Sequence, residues 1–180
     1  TMSVGNGTYL DRIIAEHRVR ALADQRSVEQ LFAEAVLLPE TRGFRSSLSQ
    51  PALSVIAEIK RRSPSKGDLF VDLNPAVLAR EYATGGAACI SVLTDEANFG
   101  GSQTDLEMAR DAVKLPVLRK DFTVDERDVL DARLMGADAV LLIVAALSKQ
   151  ELERFFSLSG ELGLDALVET HDEAELETAL

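Results

Sequence analysis

The chain has one cysteine, no tryptophan, two histidines and five prolines among 180 residues. The lone Cys89 cannot close an internal disulfide. It lies in the apolar run from Ala87 to Leu93, so it is expected to be a core thiol rather than a nucleophile, in a chain suited to a reducing cytoplasm. Few prolines and 46% hydrophobic residues exclude a disordered or collagen-like chain. Long apolar runs are missing too: the longest, Ala137 to Leu147, carries Asp138, and no charged-then-apolar leader opens the chain. No membrane span and no secretory signal are therefore expected. Basic residues are the minority, with 19 Lys and Arg against 30 Asp and Glu, a formal charge of −11. A polyanion would be repelled over most of such a surface, which argues against nucleic acid or anionic lipid as partner. Also absent is a G-x-G-x-x-G or Walker motif, the usual mark of a dinucleotide or nucleotide fold.

What is present is organised around Leu53 to Gly67. Five of its first seven residues are apolar, which reads as a buried strand, and Ser63-Pro64 with Lys66-Gly67 marks the loop that ends it. Side chains alternate across a strand, so Glu58 and Lys60 share one face while Val55, Ala57 and Ile59 take the other. A structural ion pair is the bland reading. Two further strands also end in charge, Pro116 to Asp121 with Lys120 and Ala166 to Thr170 with Glu169. In parallel α/β folds, that C-terminal rim is where ligands bind. Lys60, Arg61, Arg62, Lys66, Arg119 and Lys120 gather positive charge beside two of these ends, a basic patch that suits a small anionic ligand carrying phosphate or carboxylate.

The first few positions carry no pattern. An amphipathic helix follows from Thr8 with Asp11 as its capping partner, carrying Leu10, Ile13, Ile14, His17 and Ala21. His17 is expected to be a packed or partly exposed helix residue, because no His, Cys or carboxylate cluster stands near it at ligand spacing. Ser27 with Gln30 opens a second helix that Pro39 stops, and the segment to Pro51 reads as a connector. Thereafter strands and helices alternate. Asn74-Pro75 starts a helix ending at Gly85-Gly86, and Ala88 to Thr94 is a strand. The loop Asp95 to Gln103 precedes a helix capped by Thr104 with Glu107. Further helices run from about Asp125 to Met135, from Ser148 to about Leu162, and from Asp172 to Leu180. Between them lie strands at 116–120, 138–144 and 166–169.

Alternation with short links implies a parallel sheet with right-handed crossovers. Charged ends on strands one, three and five, all on one rim, fit a (βα)8 barrel better than an open doubly wound sheet. Five βα units are visible, so the fold expected is a TIM barrel cut short: residues 1–52 an N-terminal helical extension over the barrel mouth, residues 53–180 the first five βα units.

At these residues the chain resembles the indole-3-glycerol phosphate synthase family. The matching runs are Val55 to Ser65, Ser91 to Glu96 with Phe99-Gly100-Gly101-Ser102, Pro116 to Phe122, Ala139 to Val144 and Leu167 to His171. They fall in the family's order and cover nearly all of the chain. The resemblance implies a cytoplasmic carboxy-lyase of tryptophan biosynthesis. It would close the indole ring of 1-(2-carboxyphenylamino)-1-deoxyribulose 5-phosphate with loss of carbon dioxide and water, with no metal and no cofactor. By motif position Lys120 resembles the general acid and Glu169 the acid or base of the dehydration. Glu58 with Lys60 matches the pair that orients the reacting centre, Ser63 a phosphate contact, and Phe99 and Phe122 contacts to the anthranilate ring. The family's sixth to eighth strands, with the glycine-rich loops that hold most of its phosphate site, have no counterpart in these 180 residues. The lone chain is therefore expected to be inactive and to self-associate, or bind a complementing C-terminal segment, through open strand edges. Two rival readings are a Schiff-base aldolase-like barrel using Lys60 or Lys120 on a sugar phosphate, and a non-catalytic barrel fragment.

Overall fold

The computed structural model describes residues 8–180; the patternless first positions lie outside the described residues. Thr8 caps α1 (Tyr9–Ala23) with a full capping box, its hydroxyl accepting from the Asp11 amide while the Asp11 carboxylate accepts from the Thr8 amide. Ser27 caps α2 (Val28–Ala35), but Gln30 supplies only its amide, and the Ser27 hydroxyl donates to Glu29. The expected reciprocal box with Gln30 is thus not formed, and the helix ends well before Pro39. The segment to Pro51 is not a plain connector. It holds α3 (Phe44–Leu48), whose Phe44 is buried.

The first strand, β1 (Ile56–Ile59), starts later than Leu53, which stands exposed. Where a simple loop was expected, β2 (Arg62–Ser63) and β3 (Gly67–Asp68) pair as a small antiparallel hairpin. Then come α4 (Pro75–Thr84), β4 (Cys89–Leu93), α5 (Glu96–Phe99), α6 (Gln103–Ala112), β5 (Val117–Lys120), α7 (Glu126–Leu134), β6 (Ala139–Ile143), α8 (Lys149–Glu161), β7 (Asp165–Glu169) and α9 (Glu173–Ala179). The expected loop from Asp95 to Gln103 thus contains the short α5. The N-cap of α6 is Ser102, whose hydroxyl accepts from the Asp105 amide; the box expected from Thr104 and Glu107 does not exist. Ser148 with Glu151 forms its box on α8 as expected.

Strands β1, β4, β5, β6 and β7 form one sheet in that order, every pair parallel. Each new strand joins on the same side as the last, whereas a doubly wound sheet reverses at a switch point. This is the sequential order of a (βα)8 barrel, seen here for five units. Among the described residues, β1 pairs only with β4 and β7 only with β6.

Two cores follow from the alternation. On the helix side, Ile59, Ile90, Val92, Val117, Val140 and Leu142 pack against the helices. On the concave side lie Cys89, Leu118, Ala139, Leu141 and Ile143, with Phe44 beneath them. Each such Ile, Val or Leu side chain contributes about 1.5–3 kcal/mol by leaving water. Cys89 is the core thiol anticipated, its ionisation pushed up to about 11 mainly by burial and its sulfur donating to the Phe44 carbonyl at 3.7 Å. Of the first three helices, α1 reaches the rim at the strand C-termini, α2 packs on α7, and α3 sits at the opposite end, where the Arg45 amide donates to Asp165 at 2.7 Å.

Candidate active site

Alternation turns Ile59 into the helix-side core and leaves Glu58 and Lys60 on the concave side, where Lys60 Nζ donates to Glu58 Oε1 at 2.6 Å. At the ends of β5 and β7, Lys120 Nζ lies 3.5 Å from Glu169 Oε2. All four groups line one cavity of about 390 Å³ over an apolar floor that includes Leu93, Leu141 and Ile143. Phe99 and Phe122 form its aromatic wall, ring centroids 6.2 Å apart, and Leu10 of α1 closes one side. Ser63 does not reach this cavity. It lines an adjoining one of about 620 Å³ with Tyr9 and Lys66, and that space shares Lys60, Phe99 and Phe122 with the first. Two polar lining residues escaped the sequence reading, Asp121 and His171; the His171 Nε2 is 3.2 Å from Glu169 Oε1 and its Nδ1 is 3.1 Å from Glu175. For His171, its place just beyond the end of β7 was the signal available.

The expected basic patch largely dissolves. Arg61 grips Asp105 through two bonds of 2.8 Å and donates to the Val71 and Leu73 carbonyls. Arg62 donates to the Glu96 and Ala97 carbonyls of α5. Arg119 donates to the Thr94 hydroxyl, the Asp128 carbonyl and Asp121. A guanidinium carries five donors in a fixed fork, which suits it to tying loop ends together, and here those donors are spent on the protein. The lysines Lys60, Lys66 and Lys120 are what face the two cavities.

Phe99 is placed by its flanks. The Asp95 side chain caps α5 by accepting from the Asn98 amide, and Gly100 ends it in the left-handed region at φ 65°. Gly101 is needed for a different reason, since a Cβ there would collide with the Leu93 backbone carbonyl at the end of β4. Backbone cannot swing aside as a side chain can. Gly101→Ala should therefore cost about 3 kcal/mol, measured by urea denaturation; an unchanged midpoint would show that this loop is not pinned to β4.

His17 is packed, as expected, but carboxylates do stand beside it. It is buried, with Nε2 2.8 Å from Asp95 Oδ2 and 3.8 Å from Asp121 Oδ1, carboxylates that the fold brings from distant positions. Among the described residues this is the one group with spacing fit for a metal ion, but its atoms are already hydrogen-bonded, His17 with Asp95, and Asp121 with Thr94, Arg119 and the Phe122 amide. Burial alone would raise the Asp95 carboxyl, yet hydrogen bonds from His17 and Asn98 outweigh it and hold it at about 2. The hydrogen bond from Arg18 holds Glu151 of α8 at about 2 as well. Both contacts fasten α1. A carboxyl depressed in the folded state adds stability that is complete above its unfolded value and fades as pH falls through its folded one. These two contributions are then full above about pH 4.5 and vanish toward about pH 2. Acidification should release α1 before the central sheet opens, seen as loss of amide protection in residues 9–23 while β6 stays protected. Equal protection of both segments down to acid unfolding would contradict this.

A profile of the indole-3-glycerol phosphate synthase family matches residues 10–180. Indole-3-glycerol phosphate synthase 2 of Streptomyces coelicolor is 53% identical over 163 residues, covering 91% of this chain and 62% of its own length. The synthase of Chlorobium chlorochromatii is 48% identical over 181 residues, covering 96% and 69%. That of Paenarthrobacter aurescens reaches 61% over 128 residues, covering 71% and 47%. The chain thus spans about two thirds of the first two relatives' length. With a matched profile over nearly its whole length, a one-directional five-strand parallel sheet and charged strand ends meeting in one cavity, the chain belongs to the indole-3-glycerol phosphate synthase family, a family of TIM barrels.

Proposed function

We propose that the protein carrying this chain closes the indole ring of 1-(2-carboxyphenylamino)-1-deoxyribulose 5-phosphate, releasing carbon dioxide and water to give indole-3-glycerol phosphate. The observation that carries the reading is the meeting of two ammonium–carboxylate pairs, Lys60 with Glu58 and Lys120 with Glu169, beside an aromatic wall in one cavity. Phe99 and Phe122 hold the anthranilate ring. Lys120 gives a proton to the ribulose carbonyl oxygen as the ring carbon bonds to that carbonyl carbon. Loss of carbon dioxide then restores the aromatic ring, and Lys120, reprotonated from solvent, gives a second proton to the new hydroxyl, which departs as water and leaves an iminium-like cation. Glu58 and Glu169 lie where a carboxylate steadies that cation, and Glu169 takes the proton whose loss completes the indole. Lys60 meets the anionic end of the substrate, with Ser63 in the adjoining cavity contacting the phosphate.

Family membership favours this acid–base reading over a Schiff base on Lys60 or Lys120. Of the N-terminal helices, α1 serves at the mouth, while α3 sits at the opposite end of the sheet. A cytoplasmic location fits a biosynthetic enzyme with no helix, among the described residues, long and apolar enough to cross a membrane. The whole coding sequence that contains these residues should restore growth without tryptophan to a bacterium lacking its own synthase. Absence of growth, with folded protein present in the cells, would overturn the assignment.

A further inference from the structure

One imidazole packs on Phe122 and bonds to the cap of the short helix that carries Phe99. His17 lies two helical turns from Leu10 on the same face of α1, and Leu10 lines both cavities. Its Nε2 meets Asp95, which caps α5 and so sets Phe99. The same atom is 3.8 Å from Asp121, the residue between Lys120 and Phe122. Its ring packs on the Phe122 ring at 5.1 Å between centroids.

The charges around it ask for a cation. Asp121 has Arg119 at 3.2 Å, the Thr94 hydroxyl and the Phe122 amide. Asp95 is 1% exposed, and its partners among the described residues are the Asn98 amide and side chain and His17. Burying an ionised carboxylate with no counter-charge costs several kcal/mol. His17 is the group placed to supply that charge.

We propose that His17, as an imidazolium between Asp95 and Asp121, is a positioning residue that seats α1 on the rim and fixes Phe99 and Phe122 as the substrate-ring wall. It touches none of the groups assigned to proton transfer; it acts through the two carboxylates and Phe122. Only the kinetic consequence rests on the synthase reading of the cavity.

The test compares His17→Gln, which keeps a hydrogen-bond donor without charge, with His17→Lys, which keeps the charge. Amide exchange of the whole protein that carries this chain reads the latch directly. His17→Gln should speed exchange about tenfold or more in residues 9–23 and 96–103, the loss of one charge-assisted bond, and leave β6 and α8 unchanged. His17→Lys should stay near wild type. Wild-type exchange in His17→Gln, equal damage by both variants, or acceleration spread evenly over the chain would each overturn the proposal. In the whole enzyme, His17→Gln should raise KM about tenfold with kcat within about threefold of wild type; a lowered kcat at unchanged KM would also overturn it. If the wild-type enzyme makes no indole-3-glycerol phosphate, the functional reading fails and the exchange comparison still decides the role of His17.

Discussion

Lys120→Met in the whole enzyme is expected to lower kcat about a thousandfold while leaving substrate affinity within a few-fold of wild type. Methionine keeps the length and the apolar stem of lysine, so the cavity wall it shares with Leu141 and Phe122 stays filled. What it loses is the proton donor beside Glu169. A donor that acts as the carbonyl oxygen gains charge contributes mainly to the transition state, so its removal should show in kcat rather than in binding. Stability should barely move. The Lys120–Glu169 pair is about one-third exposed on each side, and a pair that open to water contributes little. Single-turnover kinetics and an equilibrium binding isotherm separate the two effects. A kcat within tenfold of wild type would remove Lys120 from its role as acid, leaving Lys60 as the lysine to examine.

The residues that support this argument were readable in the sequence because they obey short-range rules. Alternation puts Glu58 with Lys60 whatever surrounds them, and a charge at the end of an apolar run marks the rim of a parallel sheet. Caps such as Thr8 with Asp11 and Ser148 with Glu151 are likewise settled within four residues. The features that escaped depend on partners far along the chain. His17 finds Asp95 at a separation of 78 residues, and no spacing near position 17 could reveal it. The arginines misled for the same reason: Arg61 and Arg62 count as surface charge until Asp105 and the α5 carbonyls are seen to occupy them. The short elements, α3, α5 and the hairpin of β2 and β3, hold too few residues to display a period. They form because Phe44 is buried, because Asp95 caps α5, and because Gly67 takes a positive φ at the turn.

The 180-residue polypeptide by itself is expected to form no indole-3-glycerol phosphate and not to remain monomeric. In a closed barrel the first strand pairs with the last, and each strand has two neighbours. Among the described residues β1 and β7 each have one, so each offers a row of unpaired backbone groups. The contrast between neighbours shows what is exposed: β6 is buried along its whole length, while every residue of β7 is only half-buried, although Ala166, Leu167 and Val168 are of the same apolar kind. Covering such an edge and its apolar faces favours pairing with a second copy or with a segment that supplies further strands. Catalysis suffers separately. Of the six basic residues near the rim, three arginines are committed to the protein itself, and Lys60 and Lys120 face carboxylates, so the substrate phosphate is left chiefly with Lys66 and Ser63. A substrate held that loosely is displaced from Lys120 and Glu169, and about 1 Å of misplacement can cost on the order of a hundredfold in rate. Light scattering coupled to size exclusion gives the assembly state, and the fluorescence of the indole product gives turnover, with and without a peptide supplying the relatives' remaining strands. Turnover by a monomer with nothing added would show that five strands suffice to hold the phosphate.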